Sequence, residues 1–286
     1  MRDGHVRNYL IPAFGSDDPR TLTRRYIDDK IIAMNPKLAS ATKYKIVATL
    51  AIILDDLVDQ NVIERNPMEG MRPYSKSPTK PRTAIPPESF SLLFPTTHGG
   101  LVQVWGSALW ATLMCCFKDT GLRPGELLAL RWGEYYESQR AIVVRHSVKA
   151  ATRDEIGGTK TGIVKPGLLT TRTCQELAIL KGESKYAKDS DFIFTQNGSS
   201  PVTREAVIKA FRRGLASVGI TGQPWTPYYL RHSFATDNMA TLDNDEIILL
   251  MGHTTILQTV TYQHPDDAVV LQKAESAREK LDKARE

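Results

Sequence analysis

The chain has 286 residues, of which 41% are hydrophobic and 24% are charged, as is ordinary for a soluble globular protein. The length suits two domains with substantial cores. Lys and Arg number 37 against 32 Asp and Glu, which gives a formal net charge of +5 and a pI near 9.0. This basic excess is compatible with a nucleic-acid partner but does not require one.

The sequence contains no run of 18 apolar residues and no signal-peptide pattern. We therefore expect a cytoplasmic protein with no membrane association. The cysteines fit a reducing compartment, because two are adjacent and none belongs to a Cys-x-x-Cys pattern. We interpret Cys115, Cys116 and Cys174 as packing residues and expect no metal site.

Residues 1–73 are predicted to form a helical domain. Ser40 is a typical helix-capping residue, and apolar residues recur at three- and four-residue steps from there to Leu57. This pattern predicts a helix that ends near Asn61, after which the pair Asn66-Pro67 breaks the chain.

Residues 74–87 are predicted to form a linker between two domains. They contain four prolines and three cations but no acid, so the segment cannot fold on itself. A solvated hinge explains this composition. Alternatively, the cations Lys76, Lys80 and Arg82 lie along the phosphate backbone of DNA.

Residues 88–286 combine helices with a small amount of strand. Residues 100–118 are strongly apolar and predict one buried helix that Thr120-Gly121 ends. Pro124 and Glu126 are typical of a first helical turn and predict the next helix. The β-branched residues 141–145 predict a strand. Helices are also predicted over 203–218, over 241–251 and from Val270 to Leu281, and the fold class is therefore mainly α with a small β-sheet (α+β).

Two arginines, a histidine and a late tyrosine have distinctive sequence settings. Arg123 lies in Thr-Gly-Leu-Arg-Pro-Gly-Glu, and Arg231 lies in Leu-Arg-His-Ser-Phe-Ala-Thr. His253 follows Met-Gly, and Tyr262 comes nine residues after it. Guanidinium groups suit phosphoryl transfer, because each is always charged and contacts two oxygens at once. With no tight Asp/Glu cluster for a two-metal nuclease, these residues predict DNA cleavage by a phenol without a metal.

These stretches, in this order, resemble the tyrosine recombinases of the phage-integrase family. The run Gly-Gly-Thr-Lys-Thr-Gly at 157–162 resembles the family's β-hairpin that carries a catalytic lysine. The resemblance extends from about residue 88 to the end. Residues 1–73 resemble the family's core-binding domain more loosely and begin abruptly, so we expect this domain to be incomplete.

The resemblance implies a role for each matching residue. Arg123 and Arg231 would clamp the scissile phosphate, and His253 would donate a hydrogen bond to one of its oxygens. Tyr262 would attack phosphorus and leave a 3′-phosphotyrosine. Lys160 would protonate the departing 5′ oxygen, with Lys165 as the competing candidate.

Three further residues complete the predicted site. Glu126 would orient Arg123, and His232 is expected to pack and form hydrogen bonds rather than to catalyse. Tyr228 stands where the family usually has histidine. A phenol with a pKa near 10 donates a hydrogen bond but transfers protons poorly at neutral pH, so we expect slower chemistry.

The implied partner is double-stranded DNA carrying a specific recombination site, bound by a homo-oligomer that forms a tetramer in the synapse. The resemblance implies no cofactor, and it implies integration or excision of a mobile element in a prokaryotic or phage context, near the nucleoid. The C-terminal helix would dock onto a neighbouring subunit or pack on its own domain. Two other functions stay open: relaxation of DNA like a type IB topoisomerase, and DNA binding by a catalytically weak or inactive relative.

Overall fold

The chain divides into two compact units, Met1–Pro81 and Arg82–Glu286. The computed structural model is mostly helical with small antiparallel sheets, which confirms the predicted α+β class. It describes residues 2–34, 38–70, 84–149, 155–159, 162, 164–238, 242, 244–251 and 267–283.

The first unit is helical in its described part. Its core is mostly aliphatic and includes Ile27, Ile46 and Leu54, which are fully buried. The elements are α1 (Arg2–His5), a π-helical turn (Val6–Leu10), α2 (Ile11–Phe14), a 3-10 turn (Pro19–Thr21), α3 (Arg24–Ala33) and α4 (Ser40–Asp59).

Helix α4 confirms the helix predicted from periodicity, but its start differs in detail. Ala39, rather than Ser40, occupies the N-cap position and provides no side-chain hydrogen bond to the first turn. After the helix, Asn66 donates hydrogen bonds to Ala51 O at 3.2 Å and to Asp55 Oδ1 at 2.6 Å. At the predicted break, Asn66-Pro67, the chain is therefore hydrogen-bonded to α4.

The second unit begins earlier than the linker prediction placed it. Ile85 is buried in the core of the second unit, and its N–H donates a hydrogen bond to Ser233 Oγ at 2.9 Å. Pro87 is the first residue of a helix, where its missing N–H leaves no bond unmade. Residues 85–87 therefore belong to the second unit, and the predicted contacts of Lys76, Lys80 and Arg82 lie outside the described residues.

Helices surround the core of the second unit. Trp105 stacks on Phe211 with ring centroids 5.9 Å apart, and Phe117 and Leu230 are fully buried. The helices are α5 (Pro87–Leu93), α6 (His98–Trp105), α7 (Ala108–Thr120), α8 (Pro124–Leu128), α9 (Thr171–Glu183), α10 (Arg204–Ser217), α11 (Pro227–Asn238), α12 (Asn244–Met251) and α13 (Asp267–Lys283).

The single buried helix predicted over 100–118 is wrong, because the chain breaks between α6 and α7. Gly106 has φ +91°, a conformation that ends a helix, and Ser107 caps the next one by accepting a hydrogen bond from Trp110 N. Within the described residues no single helix is long and apolar enough to cross a membrane. Helices α6 and α7 together, bent by 98°, meet the length and composition that a broken span needs.

Two small antiparallel sheets bring distant parts of the chain together. The first has the order β1 (Tyr135–Tyr136), β2 (Ala141–Val144) and β5 (Lys165–Leu168), and the second pairs β3 (His146–Val148) with β4 (Ile156–Gly158). Strand β2 confirms the predicted strand and is buried along its whole length. Its residue Val144 pairs with Lys165, so the pairing places a lysine in the interior.

Helix α13 packs on the first sheet of its own chain. Ala274, Ala277 and Leu281 belong to one buried cluster with Leu168 of β5 and Ala141 of β2. Two ion pairs border this contact, Arg140–Asp282 at 2.9 Å and Lys280–Glu246 at 2.6 Å. The apolar stripe predicted from Val270 to Leu281 therefore has an intrachain surface to cover.

Candidate active site

The structure describes part of the predicted site. Arg123 and Glu126 lie around the start of α8, and Tyr228, Arg231 and His232 lie on α11. His232 is half-buried, and its carbonyl accepts a hydrogen bond from Thr236 Oγ1. Lys160, His253 and Tyr262 lie outside the described residues, so their roles stay predictions.

A tight turn between α7 and α8 sets the backbone of Arg123. Helix α7 ends at Gly121, whose φ of +58° favours glycine. A Cβ on Gly121 would lie 2.5 Å from the ring of Phe234, so the position also lacks room for a side chain. Two residues later, Arg123 occupies the N-cap position of α8 with Pro124 in the first turn.

Glu126 holds Arg123 through both its backbone and its side chain. Glu126 Oε2 accepts a hydrogen bond from Arg123 N at 2.8 Å, and Oε1 accepts one from Arg123 Nη1 at 2.9 Å. The Arg123 side chain is 25% exposed, whereas the Glu126 side chain is 1% exposed. Glu126 therefore fixes the orientation of a guanidinium that remains accessible from solvent.

Arg231 joins the ends of two helices. Its residue is 2% exposed, and its guanidinium donates hydrogen bonds to Gly121 O at 2.5 Å and to Met251 O at 2.8 Å. Gly121 is the C-cap of α7 and Met251 is the last residue of α12. Carbonyls at such positions lack intrahelical partners, and the helix dipole is negative there. Arg231 is thus fixed next to the turn that carries Arg123.

The charges around Arg231 favour an added anion. Burial lowers the pKa of the Arg231 guanidinium and the positive charge of Arg123 lowers it further, while Tyr228 and Glu126 partly oppose this effect. Arginine remains charged in proteins despite such shifts, so the two like charges repel. An anion between them would relieve this repulsion.

Tyr228 lies one helical turn before Arg231 and forms a hydrogen bond with it. The residue is 41% exposed, in contrast to its buried partner. Tyr228 and Arg123 are therefore solvent-accessible residues next to the buried Arg231.

Lys165 is predicted from the sequence only as a competitor of Lys160, yet the structure places it beside the arginines. Lys165 Nζ lies 2.7 Å from Glu126 Oε2 and donates a hydrogen bond to Met251 O at 3.1 Å. The side chains of Lys165 and Glu126 are each 1% exposed. This lysine was hard to place from sequence, because Pro166 and Gly167 argue against the strand that buries it.

Burial shifts the protonation equilibria of this pair. Burial lowers the pKa of Lys165 to about 8, and the charges of Arg231 and Arg123 contribute, although Glu126 opposes the change. Burial acts to raise the pKa of Glu126, but Lys165 and the hydrogen bonds from Arg123 outweigh it and hold that pKa below its ordinary value. We therefore assign an ionised Glu126 at neutral pH.

The geometry offers a cationic site in which one carboxylate binds two of the three cations, and the third, Arg231, lies within its electrostatic influence. Arg123, Arg231 and Lys165 carry the positive charges, and Glu126 carries the negative charge. Such a site suits an oxyanion of a phosphate. Among the residues that the structure describes, no three His, Cys, Asp or Glu side chains lie close enough to hold a metal ion.

Comparison with known proteins identifies a family and relatives that this chain resembles in sequence. The model of the Phage integrase family matches residues 106–268. An integrase of Streptomyces ambofaciens is 24% identical over 270 residues, which cover 87% of this chain and 66% of that protein. The chain thus spans slightly less than two thirds of that relative.

Solved structures with similar folds include two integrases. The Tn1549 transposon integrase in complex with transposon right end DNA superposes with a TM-score of 0.72 at 20% identity and covers 98% of this chain and 92% of that one. A lambda integrase tetramer bound to a Holliday junction superposes with a TM-score of 0.63 at 15% identity, over 93% and 75% of the two chains. Because the family match includes both arginines and extends over more than half of the sequence, the chain belongs to the phage integrase family of tyrosine recombinases.

Proposed function

We propose that the protein is a site-specific recombinase that cleaves and rejoins DNA through a 3′-phosphotyrosine intermediate. The observation that carries this proposal is that Arg123 and Arg231 both lie at the C-terminal end of α7. Arg231 binds the carbonyl of Gly121, and Arg123 follows two residues later with its side chain fixed by Glu126. Two guanidinium groups so placed can contact one phosphodiester.

The first chemical role is stabilisation of charge on the phosphate. Negative charge spreads over the non-bridging oxygens during phosphoryl transfer, and positioned guanidinium groups stabilise it. The accessible Arg123 would bind the phosphate directly, with a hydrogen bond from the phenol of Tyr228. Arg231 would add its charge from the buried side, and one of its N–H groups would reach the phosphate as the DNA closes the site.

The second role is nucleophilic attack. The Tyr262 phenol would release its proton to solvent as its oxygen forms a bond to phosphorus and the bond to the 5′ oxygen breaks. Lys160 would supply the proton that makes the leaving group a hydroxyl. Attack by a 5′ hydroxyl on the phosphotyrosine reverses these steps and releases the tyrosine. The phosphodiester energy is kept in the covalent bond, so rejoining consumes no ATP.

The substrate and assembly follow from the same family. We propose double-stranded DNA with a specific recombination site as substrate, and a homo-oligomer that acts as a tetramer during strand exchange. The DNA-bound Tn1549 integrase and the lambda integrase tetramer support this choice, since both share the fold. A role in integration or excision of a mobile element fits the names of these relatives.

A suicide DNA substrate tests this function. After cleavage, the fragment that carries the 5′ hydroxyl diffuses away, so rejoining is prevented and the covalent intermediate accumulates. We expect wild-type protein to form a covalent protein–DNA band, and Tyr262→Phe to abolish it by removing the nucleophilic oxygen. Tyr228→Phe removes a hydrogen bond donor but no nucleophile, so this variant should still form the band, about tenfold to a thousandfold more slowly.

Three results would contradict the proposal in different ways. A band that persists in Tyr262→Phe would mean that another residue attacks. Specific DNA binding by wild-type protein without any covalent band would identify an inactive DNA-binding relative. Relaxation of supercoiled plasmid without recombination would favour the activity of a type IB topoisomerase.

A further inference from the structure

Lys165 is an unusual residue for the interior of a sheet. It is the first residue of β5 and pairs with Val144 on β2, a strand that is buried along its length. Moving an ammonium group out of water is strongly unfavourable unless partners compensate it. The partners are Glu126 Oε2 at 2.7 Å and the carbonyl of Met251 at 3.1 Å.

Each partner of Lys165 also binds one of the two arginines. Glu126 accepts hydrogen bonds from the backbone and side chain of Arg123, and Met251 O accepts one from Arg231 Nη2 at 2.8 Å. The lysine therefore links the α8 start to the α12 end through a single ammonium group. Met251 is also the last described residue before the segment that contains Tyr262.

We propose that Lys165 is a positioning residue of the recombinase: its ammonium holds Glu126 and the end of α12 in the arrangement that directs Arg123 and Arg231 to one phosphate. This inference rests on the proposed function. Lys165 acts through Glu126 and Met251 and does not contact DNA. Its burial and its contacts with these two partners support this role.

The charge balance gives this role a measurable signature. Among the residues that the structure describes, the groups that act electrostatically on Lys165 are Glu126 and Arg123 from α8 and its N-cap and Arg231 from α11, and the carbonyl of Met251 contacts it from α12. With Lys165 protonated, these side chains carry three positive charges and one negative charge. A bound phosphodiester adds a negative charge, which favours the protonated lysine. Because the pKa of Lys165 is about 8 without DNA, binding near pH 8 should take up protons.

The test compares cleavage by wild-type protein with that by Lys165→Met and Lys165→Arg. Lys188→Met is the matched control, because Lys188 is exposed in a loop of the second unit. We expect Lys165→Met to slow single-turnover cleavage about a hundredfold, since small displacements of catalytic groups have effects of this size. Lys165→Arg should recover most of this loss, and Lys188→Met should cleave at the wild-type rate.

A substrate with sulfur in place of the bridging 5′ oxygen separates positioning from proton donation. A thiolate leaves without being protonated, so this substrate restores the cleavage rate of a variant that lacks only the general acid. We expect no restoration for Lys165→Met, and restoration would overturn the inference by identifying Lys165 as the acid.

Two further measurements complete the test. Calorimetry of DNA binding at pH 8, in buffers of different ionisation enthalpy, should show proton uptake by wild-type protein and Lys188→Met but not by Lys165→Arg, whose guanidinium stays protonated. Equal uptake by Lys165→Arg would overturn the inference even if Lys165→Met fails to fold. If wild-type protein forms no covalent band, the proposed function fails. If it forms one and Lys165→Met cleaves equally fast, only the present inference fails.

Discussion

Glu126 joins two cations through one buried carboxylate. One oxygen binds Arg123 Nη1, and the other binds both the backbone N–H of Arg123 and the ammonium of Lys165. The same residue thus satisfies the first turn of α8, orients an accessible arginine and neutralises a buried lysine. The helix dipole favours Glu126 in a first turn, and the family resemblance implies that it orients Arg123. Its contact with Lys165 depends on a strand 39 residues further along the chain.

We expect Glu126→Gln to lower the free energy of unfolding of the second unit by about 3–5 kcal/mol at pH 7, because it leaves a buried charge without its anionic partner. Glu183→Gln on the exposed face of α9 is the control and should change it by less than about 0.5 kcal/mol. Urea unfolding followed by tryptophan fluorescence reports on the second unit alone. All four tryptophans lie there: Trp105, Trp110, Trp132 and Trp225.

The loss in free energy of unfolding caused by Glu126→Gln should depend on pH in a defined direction. The pKa of Glu126 in the folded protein lies below its ordinary value of 4.5, so its ionisation stabilises the fold above that pH. This contribution disappears as the pH falls through the folded-state pKa, where the protonated carboxyl resembles the amide of glutamine. The difference between wild-type protein and Glu126→Gln should therefore shrink below pH 4.5. A difference that is constant with pH would contradict an ionised Glu126.

At the scale of elements, the turn from α7 to α8 connects packing with the candidate site. Gly121 ends α7 in the left-handed conformation, and its carbonyl accepts a hydrogen bond from Arg231. Phe234, one turn after Arg231 on α11, fills the space beside Gly121. The end of α7 and the middle of α11 thus fix each other's position.

We expect Gly121→Ala to destabilise the second unit by about 2–4 kcal/mol, because it adds both backbone strain and a contact of 2.5 Å with the ring of Phe234. Gly219→Ala is a matched control: its φ of +75° gives the same strain, but a Cβ there has no atom within 4 Å. The control should lose only about 1–2 kcal/mol. Equal losses in urea unfolding would show that the contact with Phe234 contributes nothing.

The elements that sequence could predict are those that local chemistry determines. The periodicity of α4, the β-branched residues of β2 and the capping pattern of α8 all gave the correct structure type. The break between α6 and α7 was missed, because the apolar residues continue across Gly106-Ser107 and only the conformation of the glycine marks the turn. Strand β5 was missed for a different reason. Its pairing with β2 is non-local, and Pro166 and Gly167 oppose it locally.

The candidate site also contains residues that local motifs determine and one that non-local pairing determines. Arg123, Glu126 and Arg231 stand in motifs that specify their types and spacing, so they were predicted by number. Lys165 has no such motif, and its place follows from the register of two strands and from the ends of α8 and α12. A lysine inside an apolar segment such as 163–169 is the signal that could have found it, since a buried ammonium needs a partner.

At the scale of the whole molecule, the position of α13 determines whether the apolar surface of β2 and β5 is covered by the same chain or by a neighbouring subunit. Its buried residues Ala274, Ala277 and Leu281 cover β2 and β5 of the same chain. Strand β5 also carries Lys165, but side chains alternate between the faces of a strand, so Lys165 and Leu168 lie on opposite faces. Helix α13 therefore covers the face of the sheet opposite to Lys165. A helix that left this surface to dock on a neighbouring subunit would expose the apolar cluster.

Leu281→Ala tests this intrachain packing in the absence of DNA. Leu281 is buried, so its truncation should lower the free energy of unfolding of the second unit by about 2–3 kcal/mol. Asp282→Asn removes the bordering ion pair with the half-exposed Arg140 and should cost less than about 1 kcal/mol. Because the contact lies within one chain, both losses should be independent of protein concentration in urea unfolding. A loss for Leu281→Ala that appears only as the concentration rises would instead place α13 on a second copy of the chain, since only an intermolecular contact follows mass action.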